Sequence, residues 1–326
     1  MTATTTSLGA RFNALRRGAQ RDGDRAPRTR TPRPEREKPT EIPPLSPGLN
    51  TARTVLVVLF VLSLSLLLQF SVVSGLQHSA AQGRVFDLFR EQLAAGTAPI
   101  GPTDIDGVDL EIGAPVAFLE IPSIDLREVV VEGTTSRALL DGPGHRRDTP
   151  LPGQIGTSIV FGRRAAYGGP FSRINELTPG TLVRVTTAQG TFDYSVIGVR
   201  ADGDPLPAAP AANVGRLMLV TAAGRAYLPD GVIRVDAELL QGAVGGPPRF
   251  ATAATLPDDE QALRGDPSTL WALVLWLQLL ILLALAAVWS WHRWGRAQAW
   301  LVFLPPLLLV GLAVAGEIAR LLPNLL

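Results

Sequence analysis

TLVRVTTAQGTFDYSVIGVR, residues 181–200, reads as two β-type runs, TLVRVTT (181–187) and TFDYSVIGVR (191–200), separated by Ala-Gln-Gly. A short loop carrying Gly190 between alternating apolar runs is the signature of a hairpin that joins adjacent strands. Working outward, the same texture recurs in VAFLEI (116–121), EVVVEG (128–133), TSIVFG (157–162), RLMLVT (216–221) and GVIRVDAEL (231–239), each bounded by Gly, Pro or Asp. Seven short strands at close spacing predict a mainly β domain, a barrel or a sandwich, over residues 114–240. A short helix is expected near Ser136–Leu140. Upstream, Val85, Leu88, Phe89 and Leu93 recur at helical spacing and predict an amphipathic stalk helix within residues 76–113.

The flanks of this domain are apolar. Val55–Val73 carries no charge for 19 residues, a length that as a helix rising about 1.5 Å per residue matches a hydrocarbon core of roughly 30 Å. It exceeds the apolar core of a cleaved signal peptide and predicts a spanning helix over 54–75. Leu270–Trp289 is interrupted only by Gln278 and predicts a second span over 269–291. Trp300–Ala315 contains Pro305-Pro306 and is only 16 residues long; a kinked third span over 300–318 is expected, with a re-entrant or interfacial helix as the alternative. Residues 241–268 lack periodicity and read as a linker.

The 326 residues hold 30 Lys+Arg against 29 Asp+Glu and no cysteine. Bulk charge therefore gives no sign of nucleic-acid binding, and disulfides, thiolate metal sites and cysteine nucleophiles are excluded. The balance conceals a division: residues 1–53 contain 11 basic and 5 acidic side chains, residues 76–269 contain 16 and 23. The Pro- and Arg-rich tail predicts disorder, with anionic membrane lipids as its partner. Basic residues stay on the cytoplasmic side, so the tail and the 292–299 loop, which carries Arg293 and Arg296, are expected inside. The β domain and residues 319–326 are then expected outside a plasma membrane crossed three times. No metal-ligand cluster or cofactor motif is visible; Asp202, Asp204, Asp258, Asp259 and Glu260 read as solvated loop charges.

The order of motifs IPSIDLREVVVEG (121–133), LLDGPGH (139–145), TPLPGQIG (149–156), YGGPFSRINELTPGT (167–181), LMLVT (217–221) and VDAEL (235–239) resembles the sortase family, transpeptidases that anchor proteins to Gram-positive envelopes. The resemblance implies an eight-stranded β-barrel. It also implies a cysteine, a histidine and an arginine for thioacyl transfer. At the aligned positions this chain has Ala222, Arg163 and Val232, with Arg234 two residues on and on the same strand face. Thr221 points to the opposite face from residue 222, His78 and His145 lie elsewhere, and Ser158 and Ser195 read as structural hydroxyls. The resemblance thus implies a catalytically degenerate member whose groove, with Arg163 and Arg234 as candidate binding residues, serves as an extracellular binding or scaffolding module for a membrane or cell-envelope protein partner. An active transpeptidase with a non-cysteine nucleophile is the alternative.

Overall fold

The computed structural model describes residues 47–249 and 251–326; the tail read as disordered and basic lies almost entirely outside the described residues. Eight strands close into one barrel in the order β1-β2-β3-β4-β7-β8-β6-β5. They are β1 (Pro115–Ile121), β2 (Leu126–Glu132), β3 (Gly144–His145), β4 (Gly156–Phe161), β5 (Leu182–Thr187), β6 (Gly190–Arg200), β7 (Gly215–Arg225) and β8 (Leu228–Leu239). Seven coincide with the runs read from the sequence. The eighth, β3, has two residues, too few to show a period, yet it bridges β2 in parallel and β4 antiparallel and completes the ring. The β5–β6 hairpin turns on Ala188 and Gln189, with Thr187 paired to Gly190, whose positive φ of 134° suits glycine.

Alternation along the strands builds the interior. Val183 and Val185 of β5 face Phe192, Tyr194 and Val196 of β6 and Leu217 and Leu219 of β7 in one buried cluster. A second buried network stands behind β3. His145 Nδ1 lies 2.8 Å from Glu132 Oε2, and Glu132 Oε1 accepts from Arg249 Nη1 at 3.0 Å. Burial pushes the Glu132 carboxyl up, but His145 and Arg249 outweigh it and hold the group below the ordinary carboxylate value. His145 Nε2 faces the Pro150 carbonyl at 2.9 Å, so this histidine is a structural one.

The 241–268 segment is more than a linker. Val244 bridges Gln154, its N–H donates to the Gly153 carbonyl, and its carbonyl accepts from Ile155. Arg249 reaches Glu132, and Glu260, read as a solvated charge, is buried and held by Arg147 while its carbonyl accepts from Thr134 Oγ1. The segment is a strap bonded to the barrel along much of its length.

Among the described residues three helices are long and apolar enough to cross a membrane. The first runs without a break from α1 (Pro47–Leu68) through a π-helical turn, Gln69–Val73, into α2 (Ser74–Ala95), so the expected span and stalk are one helix of roughly 73 Å at about 1.5 Å per residue. Gly96 stops it in the left-handed conformation, its N–H returning to Gln92 and Leu93. Gln82 fixes this helix to the barrel, exchanging bonds with Val129 and donating to the Asp141 carbonyl of the short helix α3 (Ala138–Asp141). The other two are α4 (Leu270–Trp294) and α5 (Arg296–Leu321). Helix α5 continues through Pro305-Pro306 and extends beyond the apolar block, so the 25 residues Ala297–Leu321 suffice to cross. Val61, Leu280, Ala284, Leu307, Val310 and Val314 form the bundle core. At Gly311 any Cβ would meet Ser65 Oγ at 2.2 Å, which is why α1 and α5 approach so closely there.

Candidate functional site

Strand register brings the three singled-out positions together. β4 and β7 run parallel with Phe161 beside Val220, so two residues further Arg163 and Ala222 reach the same end of the barrel. β7 and β8 are antiparallel with Ala222 opposite Val232. Gly162 makes the exit from β4 possible, because a Cβ there would lie 2.3 Å from the Phe171 ring. Its N–H donates to the Val220 carbonyl, and its own carbonyl accepts from Thr221 Oγ1 at 2.8 Å. That bond accounts for the Thr221 hydroxyl, which is buried.

Arg163 is the largest side chain fully buried in the chain's described residues. Nη2 donates to the carbonyl and the hydroxyl of Ser136 at 3.0 and 2.9 Å, and Nη1 donates to the Leu326 carbonyl at 3.1 Å. The guanidinium also lies 5.3 Å from the centre of the Tyr167 ring. Burial lowers its pKa to about 10 while the nearby Tyr167 acts in the opposite sense, so it remains a cation at neutral pH and can only donate. Its neighbour Arg164 gives its backbone N–H to the Leu325 carbonyl at 3.0 Å and Nη1 to the Ala222 carbonyl at 3.0 Å. The space beside Ala222 and Val232 is filled by Leu325 and Leu326, together with Leu139, Phe161 and Val220.

The candidate binding residues therefore separate. Arg163 reaches Leu326, one of the two leucines that fill the cleft beside Ala222 and Val232. Arg234 shares a strand face with Val232 but turns to Asp202, Nη1 to Oδ1 at 2.6 Å, while the other Asp202 oxygen accepts from the Val232 N–H. Arg234 lowers the Asp202 carboxyl pKa, helped by that backbone bond, so Asp202 orders the strand edge through two specific partners. Ser158 is buried on β4 and Ser195 is half-buried on β6, paired with Leu182 and Glu238. Among the described residues no group of His, Cys, Asp or Glu could hold a metal ion. Sequence reasoning missed Ser136, Arg164 and the Leu325-Leu326 segment. The double arginine after β4 was visible, but residues 319–326 read only as an external segment after the third span.

Residues 119–224 match the sortase domain family. The barrel is a sortase domain. The sortase D of Bacillus subtilis is 33% identical over 87 residues, 27% of this chain and 42% of that protein. Sortase SrtE1 of Streptomyces coelicolor is 32% identical over 114 residues, 33% of this chain and 31% of that protein. The matched stretch thus spans less than half the length of these curated relatives. Among solved structures, the Clostridium perfringens sortase D5 transpeptidase aligns with 50% of this chain and 99% of its own, at 20% identity and a TM-score of 0.42. A sortase E variant from Streptomyces avermitilis aligns with 47% of this chain and all of its own, at 26% identity and a TM-score of 0.34.

Proposed function

We propose that the chain is a multi-pass plasma-membrane protein whose sortase domain is catalytically silent and serves outside the cell as a binding or scaffolding module for a membrane or envelope protein. The observation that carries this reading is the chemistry of the cleft: an alanine methyl, a valine and a buried guanidinium occupy the positions that the family resemblance assigns to the reacting groups. A methyl cannot form an acyl intermediate, and a guanidinium that stays protonated cannot accept a proton from a nucleophile. The hydroxyl nearest to Ala222 in sequence, that of Thr221, already donates to a buried carbonyl. What the cleft offers instead is apolar surface with fixed donors, the chemistry of recognition.

The bundle supports the orientation. Arg53 lies 4.1 Å from the centre of the Trp291 ring, and Trp291 packs edge-on against Trp300, which puts a cation and two indoles at the end of the bundle away from the barrel. Aromatic and basic residues at that depth suit the cytoplasmic interface. Affinity purification of the full chain from membranes in mild detergent tests the module role: a stoichiometric protein that co-purifies is expected, and a chain recovered alone after mild cross-linking would contradict it.

A further inference from the structure

The cleft already holds a peptide. Pro323–Leu326 leave α5 and lie in it, with Leu325 and Leu326 buried against Ala222 and Val232. Two consecutive carbonyls, those of Leu325 and Leu326, are taken by the Arg164 N–H and by Arg163 Nη1. The buried Asn324 side chain donates to the carbonyls of Thr134 at 2.8 Å and Gln261 at 2.9 Å, and the Arg264 carbonyl accepts its N–H. Apolar side chains in a pocket with main-chain acceptors on fixed donors is how proteins hold a short peptide segment.

The far side of the cleft is tied to the membrane as well. Tyr167, stacked behind Arg163, takes a hydrogen bond on its hydroxyl from Gln69 Nε2 at 2.9 Å, and Gln69 opens the π-helical turn of the long helix. Such turns are irregularities in a helix that commonly occur at functional sites. Tyr167 is held at a φ of +51°, a left-handed conformation that bulky residues rarely adopt. The segment in the cleft thus hangs from α5 and the support behind its cation hangs from the helix that contains α1, and these two helices meet at Gly311 and Ser65.

We propose that Pro323–Leu326 is a built-in ligand of the Arg163 cleft, docked while α1 and α5 are packed together and exchangeable for a short apolar peptide in trans. The peptide would present a main-chain carbonyl or carboxylate oxygen to Arg163. A buried guanidinium set among neutral acceptors and a ring favours an anionic oxygen over a neutral one. The proposal rests on the binding-module reading only in taking this cleft as the binding surface. A partner that co-purifies while the segment stays docked would leave that reading intact and sink this one.

The test uses the full chain in detergent micelles and a fluorescein-labelled Leu-Pro-Asn-Leu-Leu peptide, as free acid and as amide, read by fluorescence anisotropy. The double variant Leu325→Ser, Leu326→Ser, which weakens the resident segment, is expected to bind the probe at least tenfold more tightly than the native chain, the free acid more tightly than the amide. Equal affinities for the two proteins, or binding by neither, with the β circular dichroism intact, would overturn the proposal. A second measurement covers the case in which the double variant unfolds. Ala222→Cys puts a single thiol in a chain without native ones; its maleimide modification should be slow, and at least tenfold faster when Gly311→Leu wedges α1 from α5. An unchanged rate would show that docking is independent of the bundle and would refute the coupling.

Discussion

Glu132 is the most informative residue to remove from the barrel frame, because two cationic or potentially cationic side chains converge on it. His145 and Arg249 each touch one of its oxygens, and all three are buried, with Arg147 and its partner Glu260 alongside. Glu132→Ala leaves Arg249 without its carboxylate and His145 without its Nδ1 partner. Removing one member of a buried ion pair costs about 3–5 kcal/mol. With melting temperature falling roughly 2–4 °C per kcal/mol for a domain of this size, the loss should be on the order of 6–20 °C. The assay is the β circular dichroism of the purified chain in detergent, heated at pH 7. Acid provides an independent arm. The folded-state carboxyl titrates below its unfolded value, so its contribution is complete above the ordinary carboxylate range and disappears as pH falls through the folded value. The native protein should therefore lose more stability between about pH 5 and pH 3 than Glu132→Gln does. A variant melting within 2 °C of the native protein, with the same acid dependence, would refute the reasoning.

Gly162→Ala should destabilise the barrel by about 1–3 kcal/mol, since its Cβ would enter the Phe171 ring and the core has no room to yield; thermal melting checks it, and an unchanged midpoint would mean that the loop after β4 relaxes freely. Topology is open to impermeant thiol labelling of intact cells: Leu206→Cys, on a highly exposed loop residue, should react, and Arg293→Cys, in the last turn of α4, should not. Arg234→Ala should cost less than about 1 kcal/mol, because its ion pair with Asp202 is largely solvent-exposed; a larger loss would assign Arg234 a part in shaping the cleft.

The fold was legible where local pattern and tertiary contact agree. Alternation in β5 and β6 and the turn residues between them gave both strands and their pairing, and the charge-free run Val55–Val73 announced a helix long and apolar enough to cross a membrane. What escaped depends on partners far away in the chain. β3 exists only through its bridges to β2 and β4, and the strap reads as featureless because its bonds go to Gly153, Glu132 and Thr134, about 90 residues or more upstream. The continuity of α1 with α2 was hidden because the charge-free run ends at Val73 and the stalk was read as a separate helix; Gln69 and Gln77 bond each other beside Tyr167. In the cleft, Arg163, Ala222 and Val232 were identified from motif order and do converge, whereas Arg234 turns aside to Asp202, a choice that strand alternation alone does not decide. The occupation of the cleft by Leu325 and Leu326 left no mark in the sequence beyond two apolar residues after a span.

On the proposed function, this cleft binds without reacting. Intact-mass spectrometry of the full chain, incubated with a peptide library and an amine nucleophile, tests it most directly. Unmodified protein and unmodified peptides are expected, since Ala222 offers no group to acylate and Arg163 none to take a proton. A transpeptidation product, or a covalent acyl adduct on any serine or threonine, would contradict it.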